Sequence, residues 1–327
     1  MKRRHNRGER TVQILITGAG GFVGGHLAGW LARAYPQATL HGTVLSRAER
    51  LPDGVHAHEI DLRDPDATHA LIDSIQPHQV YHLAAQAFVP LSFEDPWDTL
   101  HNNIRSQLNL ISASLQMDSA PSMLVVSSAE IYGIVAPDEV PLNERAELRP
   151  TSPYSVSKIT QDMMAAQYHA SHALPLYRAR AFNHIGPGQN ERFVAPAFAM
   201  QIARIEAGLQ EPVIYVGDLS DQRDFTDVRD IVRAYQRILE SGRAGAAYNV
   251  ASNQAHSIQA LLDGLLALSP VEIRVEVDPA RLRPAKLPIL QGDYTRLHTH
   301  TGWRPEIPFA QSLADILDDC RQRVQAG

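Results

Sequence analysis

Residues 14–31 read ILITGAGGFVGGHLAGWL, a β-rich run followed by a glycine turn and an amphipathic stretch. Gly18, Gly21 and Gly24 lie three residues apart at this junction. Glycine tolerates the left-handed backbone of a tight turn, and without a side chain it lets the free N–H groups of a helix N-terminus approach a pyrophosphate. The spacing differs from the more familiar Gly-x-Gly-x-x-Gly, although Gly20 also satisfies that shorter start. The stretch predicts a dinucleotide site, with a merely structural turn as the alternative.

Strand-like and helical patterns alternate from this turn to about residue 180. The patterns predict strands at 12–17, 39–45, 55–61, 79–83, 123–128 and 175–182, and helices at 21–35, 66–76, 98–117 and 154–172. Such alternation implies right-handed crossovers and a parallel sheet covered on both faces. Beyond Asn183 the pattern loosens into shorter elements between loops rich in Pro and Gly. We therefore predict an α/β protein: a Rossmann-type, doubly wound parallel sheet with a smaller, mixed C-terminal substrate lobe.

The looser pattern also suggests domain boundaries. Residues 1–10, which hold five Lys or Arg and one Glu, are expected to form a flexible tail. The dinucleotide-binding domain is predicted at 11–182 together with roughly 221–251. The remaining segments, 183–220 and 252–327, are assigned to the substrate lobe.

Composition excludes several classes of function. The 327 residues carry a formal charge of -6 without a basic stripe, so nucleic acid is not an expected partner. No stretch approaches the roughly 20 apolar residues of a membrane span. Cys320 is the only cysteine, which excludes a disulfide framework and fits a reducing cytoplasm. The 15 histidines lack carboxylates or thiols at liganding spacing, so no metal site is predicted; His184 is the histidine expected nearest the substrate.

The end of the second predicted strand bears on the cofactor. The segment HGTVLSRAER at 41–50 has no Asp or Glu between Thr43 and Ser46 to bind a free ribose 2'-hydroxyl. Ser46 and Arg47 could instead bind a 2'-phosphate, which favours NADP and leaves NAD possible; a solvated surface arginine is the alternative. Asp61, after the third strand, could accept from the adenine amino group or act as a helix cap or turn residue.

A second signal lies in SPYSVSK at 152–158. Tyr154 and Lys158 are four residues apart and share a helical face, and the strand-like run ending at Ser128 precedes them. A phenol is a poor acid at neutral pH, so a neighbouring ammonium is expected to stabilise its phenolate and lower its pKa. Ser128 is predicted to hold the substrate oxygen by a hydrogen bond. These three residues indicate proton transfer to a carbonyl.

At this point the chain resembles the extended short-chain dehydrogenase/reductase family and, within it, the GDP-4-dehydro-6-deoxy-D-mannose reductases, which form GDP-D-rhamnose. The first group of motifs that carry the resemblance is TGAGGFVG, YHLAAQ, VVSSAEIYG and YSVSK. The second group is RAFNHIGPGQ, FVAPAFAMQI, VGDLSDQRDFTDVRDIVRAY, YNVAS, RLRP and TGWRPEIP. Together they cover nearly the whole chain from Val12 onward.

The resemblance implies roles for individual residues. Ser128, Tyr154 and Lys158 would be the catalytic triad. The cofactor would contact Gly18, Gly21, Phe22, Val23, Gly24, Arg47, Asp61, Leu62, Leu83, Ala84, Ala85, Asn103, Tyr154 and Lys158, with Asn103 on the helix behind the site. The sugar nucleotide would contact Ser128, Asn183, Val194, Arg223 and Arg283.

Two features limit these assignments. Arg223 and Arg283 suit a diphosphate, because a guanidinium binds phosphate oxygens in a bidentate manner, yet either could be an ordinary ion-paired arginine. Many family members carry an acidic residue three positions after Arg283 that accepts from the nucleotide ribose. This chain has Lys286 there, and a lysine only donates, so the identity of the nucleotide stays open.

Glu130 supports a rival function. It lies two residues after Ser128, where related 4,6-dehydratases place a glutamate that removes the proton from sugar C5. Those enzymes usually have Thr in place of Ser128, and the reductases can carry the glutamate too. A third hypothesis is a catalytically silent sensor, which would keep the glycine turn but commonly lose the tyrosine and lysine pair.

The predicted helices 98–117 and 154–172 each carry an apolar stripe beyond what one sheet face needs. In similar proteins this pair forms a dimeric four-helix bundle. We therefore expect a homodimer, with an intramolecular core as the alternative reading of the stripe.

Overall fold

The computed structural model describes residues 11–46, 51–279 and 288–326. Its strands are β1 (Gln13–Thr17), β2 (Thr39–Val44), β3 (Val55–Glu59), β4 (Gln79–His82), β5 (Ser122–Ser128), β6 (Leu176–Ala181), β7 (Asn183–Ile185), β8 (Val213–Val216), β9 (Gln222–Asp227), β10 (Ala247–Val250), β11 (Ala255–Ser257), β12 (Arg274–Val277) and β13 (Ile289–Leu290). Its helices are α1 (Phe22–Ala34), α2 (Pro65–Ile75), α3 (Val89–Glu94), α4 (Pro96–Leu115), α5 (Pro153–His172), α6 (Val194–Glu206), α7 (Val228–Ser241), α8 (Ile258–Leu266), α9 (Thr295–Thr301) and α10 (Phe309–Ala326).

Seven strands form one parallel sheet in the order β10-β6-β5-β4-β1-β2-β3. Its central strands are continuous apolar runs because both faces of the sheet are covered; in β1, for example, Ile14, Leu15 and Ile16 are all inaccessible to solvent. The chain moves outward from β1 to β2 and later returns to β4 on the other side of β1. This reversal opens a crevice at the carboxyl ends of β1 and β4, where ligands bind in open α/β sheets.

Two helical layers cover the sheet. Helices α1 and α7 pack together on one face, where Leu27, Leu31 and Ile238 join a single buried cluster. Helices α2, α4 and α5 cover the opposite face, where Ile72, Leu110 and Ala165 belong to a second cluster. The predicted doubly wound arrangement is therefore confirmed.

The C-terminal half adds a smaller mixed lobe. Strand β9 pairs with β11 in the antiparallel direction and with β7 and β13 in the parallel direction, while β8 and β12 form a separate parallel pair. Helices α6, α8 and α10 pack on one another around a third apolar cluster. The predicted α/β class with a mixed second lobe is thus confirmed. Strand β9 belongs to the smaller sheet. Of the elements that follow it, α7 packs on the main sheet and β10 is one of the strands of that sheet.

The structure also contains a helix that the sequence pattern does not predict. Helix α3 is only six residues long and lies between Pro90 at its start and Pro96 at the start of α4. It is too short to show a helical period, and prolines usually indicate breaks. The expected tail at 1–10, the predicted ligand contacts Arg47 and Arg283, and Lys286, which replaces an acidic residue of the family, lie outside the described residues. Among the described helices, none combines the length and apolar character that crossing a membrane requires.

Candidate active site

A cavity of about 580 Å³ lies over the carboxyl ends of β1, β4 and β5. One side is formed by the glycine turn, the loop after β4 and the ends of β2 and β3. The other side is formed by the end of β5, the start of α5, the segment around β7 and the start of α6. The cavity therefore spans both the main sheet and the smaller lobe.

The glycine turn leaves no room for side chains. Gly18 has a φ of +68°, and a Cβ there would lie 3.0 Å from backbone atoms of Ala84. A Cβ on Gly24 would overlap the carbonyl oxygen of Gly18. Gly21 precedes α1 without a capping side chain, so the first N–H groups of this helix remain open toward the cavity. These are the features of a cradle for a pyrophosphate.

Side chains of the sheet hold this cradle in place. The Thr17 hydroxyl accepts from the backbone N–H groups of Leu83 and Ala84, both at 3.1 Å, and contacts His82 Nδ1 at 2.8 Å. The Thr43 hydroxyl accepts from the Gly18 N–H at 3.1 Å. The two loops that border the crevice are thus tied to the strands beneath them.

Ser128, Tyr154 and Lys158 meet at the other end of the cavity, as their positions in the sequence predict. Ser128 is the last residue of β5. Tyr154 lies in the first turn of α5, which begins there because Ser152 caps the helix through the Ser155 N–H. Lys158 follows one turn later, and its Nζ donates to the Val126 carbonyl oxygen at 2.9 Å, 6.0 Å from the centre of the Tyr154 ring.

The pKa values of these groups follow from burial. Burial raises the pKa of Tyr154 to about 12, opposed by a hydrogen bond with Ser128. Burial lowers the pKa of Lys158 from 10.5 to about 7. The sequence predicts a phenol made more acidic by its lysine, whereas in the structure burial is the largest influence on this phenol and acts in the opposite direction.

Glu130 lies at the same end of the cavity. Its backbone N–H donates to the Ser128 hydroxyl oxygen at 3.1 Å. Its negative charge contributes to the raised pKa of Tyr154. The carboxylate therefore lies near the Tyr154 phenol, where a dehydratase would use it as a base and a reductase would tolerate it.

The predicted sugar-nucleotide contacts divide into two groups. Asn183 and Val194 line the cavity. Arg223 is outside the lining, because it pairs with the Asp221 carboxylate at 3.0 Å and donates to the Gln222 carbonyl oxygen at 2.9 Å. For Arg223 the structure thus shows the ion pair that the sequence leaves as the alternative.

Two other predicted positions, Asn103 and Asp61, have well-defined hydrogen-bond partners. Asn103 is fully buried behind the cavity, where it accepts from the Gln86 N–H and donates to Ser157; its neighbour Asn102 lines the cavity instead. Asp61 lines the cavity and binds the Arg63 guanidinium, which lowers its carboxyl pKa. Asp64, rather than Asp61, caps α2.

The remaining predicted cofactor residues also border the cavity, namely Phe22, Val23, Leu62, Leu83, Ala84 and Ala85. His184 borders it as well; its ring stacks on Phe22 with centroids 6.1 Å apart, and burial lowers its pKa. Other lining residues receive no role from the sequence, namely Asn102, Gln189, Phe193, Phe225, Tyr235 and Leu290, although four of them lie within the motifs that carry the family resemblance. Among the described residues, no group of three potential metal ligands comes together.

A family model described as GDP-mannose 4,6 dehydratase matches residues 15–316. The chain belongs to this family. The resemblance seen in the sequence motifs is therefore confirmed, and the chain is an enzyme of the extended short-chain dehydrogenase/reductase type.

Individual members of the family are similar over most of their length. The GDP-6-deoxy-D-mannose reductase of Pseudomonas aeruginosa is 40% identical over 96% of this chain and 99% of the relative. GDP-mannose 4,6 dehydratase 2 of Arabidopsis thaliana is 31% identical over 80% of this chain and 70% of the relative. The solved structure of RMD from Pseudomonas aeruginosa complexed with NADPH has a TM-score of 0.84 and 38% identity, covering 96% of this chain and all of that one.

Proposed function

We propose that this enzyme reduces the C4 keto group of GDP-4-dehydro-6-deoxy-D-mannose to form GDP-D-rhamnose, with NADPH as the reductant. The observation that carries the proposal is the meeting of Ser128, Tyr154 and Lys158 in one cavity with the glycine cradle. The relative with 40% identity over 96% of the chain is named a GDP-6-deoxy-D-mannose reductase, which supports the substrate class.

The residues present fit a dinucleotide. At Gly18 and Gly24 the cradle has no room for a side chain, so a ligand can approach the backbone closely. The uncapped N-terminus of α1 supplies N–H donors for the pyrophosphate. The described end of β2 brings Thr43, Val44 and Leu45 to the cavity but no carboxylate to bind a ribose 2'-hydroxyl. We therefore favour NADP over NAD, with Arg47 as the residue for the 2'-phosphate; the related RMD structure is complexed with NADPH.

In this reaction the side chains of the protein supply and orient the proton that the carbonyl oxygen receives. The cofactor, when bound, supplies the hydride that the carbonyl carbon receives. Tyr154 donates a proton to the carbonyl oxygen as hydride transfer converts it to an alkoxide, which is a stronger base than the phenolate, so the phenol can donate although burial raises its pKa. Ser128 accepts from the Glu130 N–H, which leaves its own O–H to donate to the same carbonyl oxygen. Lys158 lies beside the tyrosine and is assigned to the nicotinamide ribose.

The sugar nucleotide is assigned to the opposite wall of the cavity. Asn183 and Val194 line it and would contact the substrate directly. Arg283 is proposed for the diphosphate. Arg223 would join it only by giving up its present ion pair with Asp221.

A second candidate is a 4,6-dehydratase that uses Glu130 as the base. The position of Glu130 on the cavity wall and its effect on the pKa of Tyr154 favour keeping it. The two activities differ in cofactor balance. A reductase consumes one NADPH for each 4-keto sugar, whereas a dehydratase recycles a bound cofactor and converts GDP-mannose without added reductant.

The test uses both substrates in parallel. Purified enzyme is incubated with NADPH and GDP-4-dehydro-6-deoxy-D-mannose, or with GDP-mannose alone, and the products are identified by NMR. The proposal expects equal amounts of NADPH consumed and GDP-D-rhamnose formed, with GDP-mannose unchanged. Conversion of GDP-mannose without NADPH would instead support the dehydratase. NADPH binding without turnover of either sugar would support a silent sensor.

We also propose a homodimer formed through a four-helix bundle of α4 and α5 from two copies. Apolar side chains on these helices face solvent, with 74% of Trp97, 43% of Val156 and 41% of Met163 exposed. A second copy would cover this surface.

The single cysteine, Cys320, is buried and free, which fits the proposed cytoplasmic location.

A further inference from the structure

Asp224 is a buried carboxylate to which the reaction described above assigns no role. It lies in β9 and is 0% exposed. Its Oδ1 accepts from the Ser252 N–H at 2.7 Å and from the Ser252 hydroxyl at 2.6 Å. Its Oδ2 accepts from the N–H groups of Asn253 at 3.0 Å and Gly292 at 3.2 Å. These four donors are uncharged, and their hydrogen bonds offset the cost of burying the carboxylate.

The four hydrogen bonds join the smaller lobe to the main sheet. Asp224 belongs to the smaller sheet, whereas Ser252 and Asn253 directly follow β10, an edge strand of the main sheet. Gly292 follows β13, which pairs with β9. Asp224 thus fixes β9 against the end of β10, although the two strands belong to different sheets.

The segment 181–183 crosses from the main sheet to the smaller one at the same place. The Phe182 N–H donates to the Val250 carbonyl oxygen of β10 at 3.0 Å. Asn183 then begins β7 and pairs with β9. The backbone position of Asn183 therefore depends on how β9 is held against the end of β10, which is the contact that Asp224 makes.

Gly292 adds a third segment to this junction. A Cβ on Gly292 would lie 2.5 Å from the Phe182 ring and 2.7 Å from the Ala251 Cβ. The loop whose N–H Asp224 holds is thus packed directly against the residue that precedes Asn183. Asn183 itself borders the cavity.

We propose that Asp224 is a positioning residue that holds the Asn183 side chain in place in the cavity and so contributes to the affinity for the sugar nucleotide. The inference rests on the proposed function, which assigns Asn183 to this ligand. Burial raises the pKa of Asp224 to about 6, so at neutral pH most of the group is ionised and acts only as an acceptor. An asparagine here would turn its NH2 group toward a backbone N–H in either orientation of the amide.

The test compares Asp224→Asn with Asp227→Asn in steady-state kinetics with GDP-4-dehydro-6-deoxy-D-mannose and NADPH. Asp227 is the matched control, because it is a buried aspartate of the same strand but binds Arg229 and Ser312 outside the cavity lining. Both variants should lower the melting temperature. Only Asp224→Asn should raise the KM for the sugar nucleotide, by about 2- to 10-fold, while kcat and the Kd for NADPH stay unchanged.

A double variant separates positioning from a general loosening of the fold. If Asp224 acts through Asn183, Asp224→Asn should raise this KM in the wild-type background and leave it unchanged in an Asn183→Ala background. Increases that multiply in the double variant would overturn the proposal. An unchanged KM for Asp224→Asn, or equal increases for Asp224→Asn and Asp227→Asn, would also overturn it.

Ser252→Ala is the second variant, for the case in which Asp224→Asn does not fold. It removes one of the four hydrogen bonds, so the KM for the sugar nucleotide should rise by a smaller factor of about two to three. An unchanged KM would overturn the proposal. Wild-type enzyme that reduces no keto sugar would instead refute the proposed function, and this outcome is distinct because it appears before any variant is made.

Discussion

The half of the cavity proposed for the cofactor (the cofactor half) is built from turns that directly follow strands of one parallel sheet, whereas the half proposed for the sugar (the sugar half) is built from loops and a helix start of the smaller lobe. In the first half, Gly18, Ala84 and Ser128 follow or end neighbouring strands, so the order of strands alone brings them together. In the second half, Asn183 and Val194 reach the cavity through the mixed lobe. The first half therefore follows from the order of strands in one sheet, whereas the second half depends on how the smaller lobe is placed beside that sheet.

The largest expected effect lies at the catalytic end of the cofactor half. Tyr154→Phe removes the proton donor while keeping the ring that packs in the wall. Turnover of the 4-keto sugar should fall by about 10² or more, because general acid catalysis contributes at least that much. The Kd for NADPH, measured by calorimetry, should stay within a factor of about two. Near-normal turnover would exclude the assigned role.

The glycine cradle allows a matched pair of variants in the same half. Gly24→Ala forces a methyl group against the Gly18 carbonyl and Ala19, while Gly25→Ala places it where nothing lies within 4 Å. Gly24→Ala should weaken NADPH binding by about tenfold or more and lower the melting temperature, as overpacking does.

Gly25→Ala should keep the affinity and gain about 0.5–1 kcal/mol in stability, because alanine is the better helix residue. Calorimetry and thermal melting measure both effects. Equal behaviour of the two variants would show that close packing at Gly24 does not shape the cradle.

A smaller effect is expected in the sugar half. Asn183→Ala should raise the KM for the sugar nucleotide about 2- to 10-fold through one lost hydrogen bond and leave NADPH affinity intact. Arg223→Ala should change that KM by less than about twofold, because the guanidinium already binds Asp221 and lies outside the cavity lining. Steady-state kinetics of the two variants measure both changes in KM. A large KM effect from Arg223→Ala alone would mean that this arginine turns toward the diphosphate during binding.

The last prediction concerns stability, not binding or turnover, and is a dependence on pH. In the unfolded chain Lys158 titrates near 10.5, and in the folded chain near 7. Below pH 7 the folded state must keep a charged ammonium buried, which lowers the free energy of unfolding. Between pH 7 and 10.5 the unfolded state binds more protons than the folded state, so the free energy of unfolding rises with pH. Lys158→Met should therefore stabilise the fold more at about pH 6 than at about pH 9.5 in thermal melts. An equal gain at both pH values would contradict the lowered pKa.

The sequence predicts the fold class and much of the cavity because both follow from periodic patterns. Alternating strands and helices imply a parallel sheet covered on both faces, and the four-residue spacing of Tyr154 and Lys158 implies a shared helix face. Ser128, Glu130, Asn183 and the glycines border the cavity as their positions suggest. Membership of the family supports the overall assignment, while the roles of these residues remain predictions.

Other features depend on three-dimensional contacts that no local pattern encodes. Whether Asn102 or Asn103 faces the cavity depends on the rotation of α4 against its neighbours. Arg223 pairs with Asp221, which is only two residues away, yet the sequence alone does not decide between this pair and a contact with the ligand. That the buried Tyr235 hydroxyl has no hydrogen-bond partner among the described residues becomes visible only when distant segments are assembled. The pKa of Tyr154 also differs from the expected direction, because burial is a property of the folded chain.

The most direct test of the account follows an isotope from cofactor to sugar. Wild-type enzyme is supplied with NADPH deuterated on the transferred face of C4 and with GDP-4-dehydro-6-deoxy-D-mannose, and the product is analysed by NMR and mass spectrometry. The account predicts one deuterium at C4 of GDP-D-rhamnose for each NADPH consumed. A product without deuterium at C4, or conversion of GDP-mannose while the labelled NADPH stays intact, would contradict it.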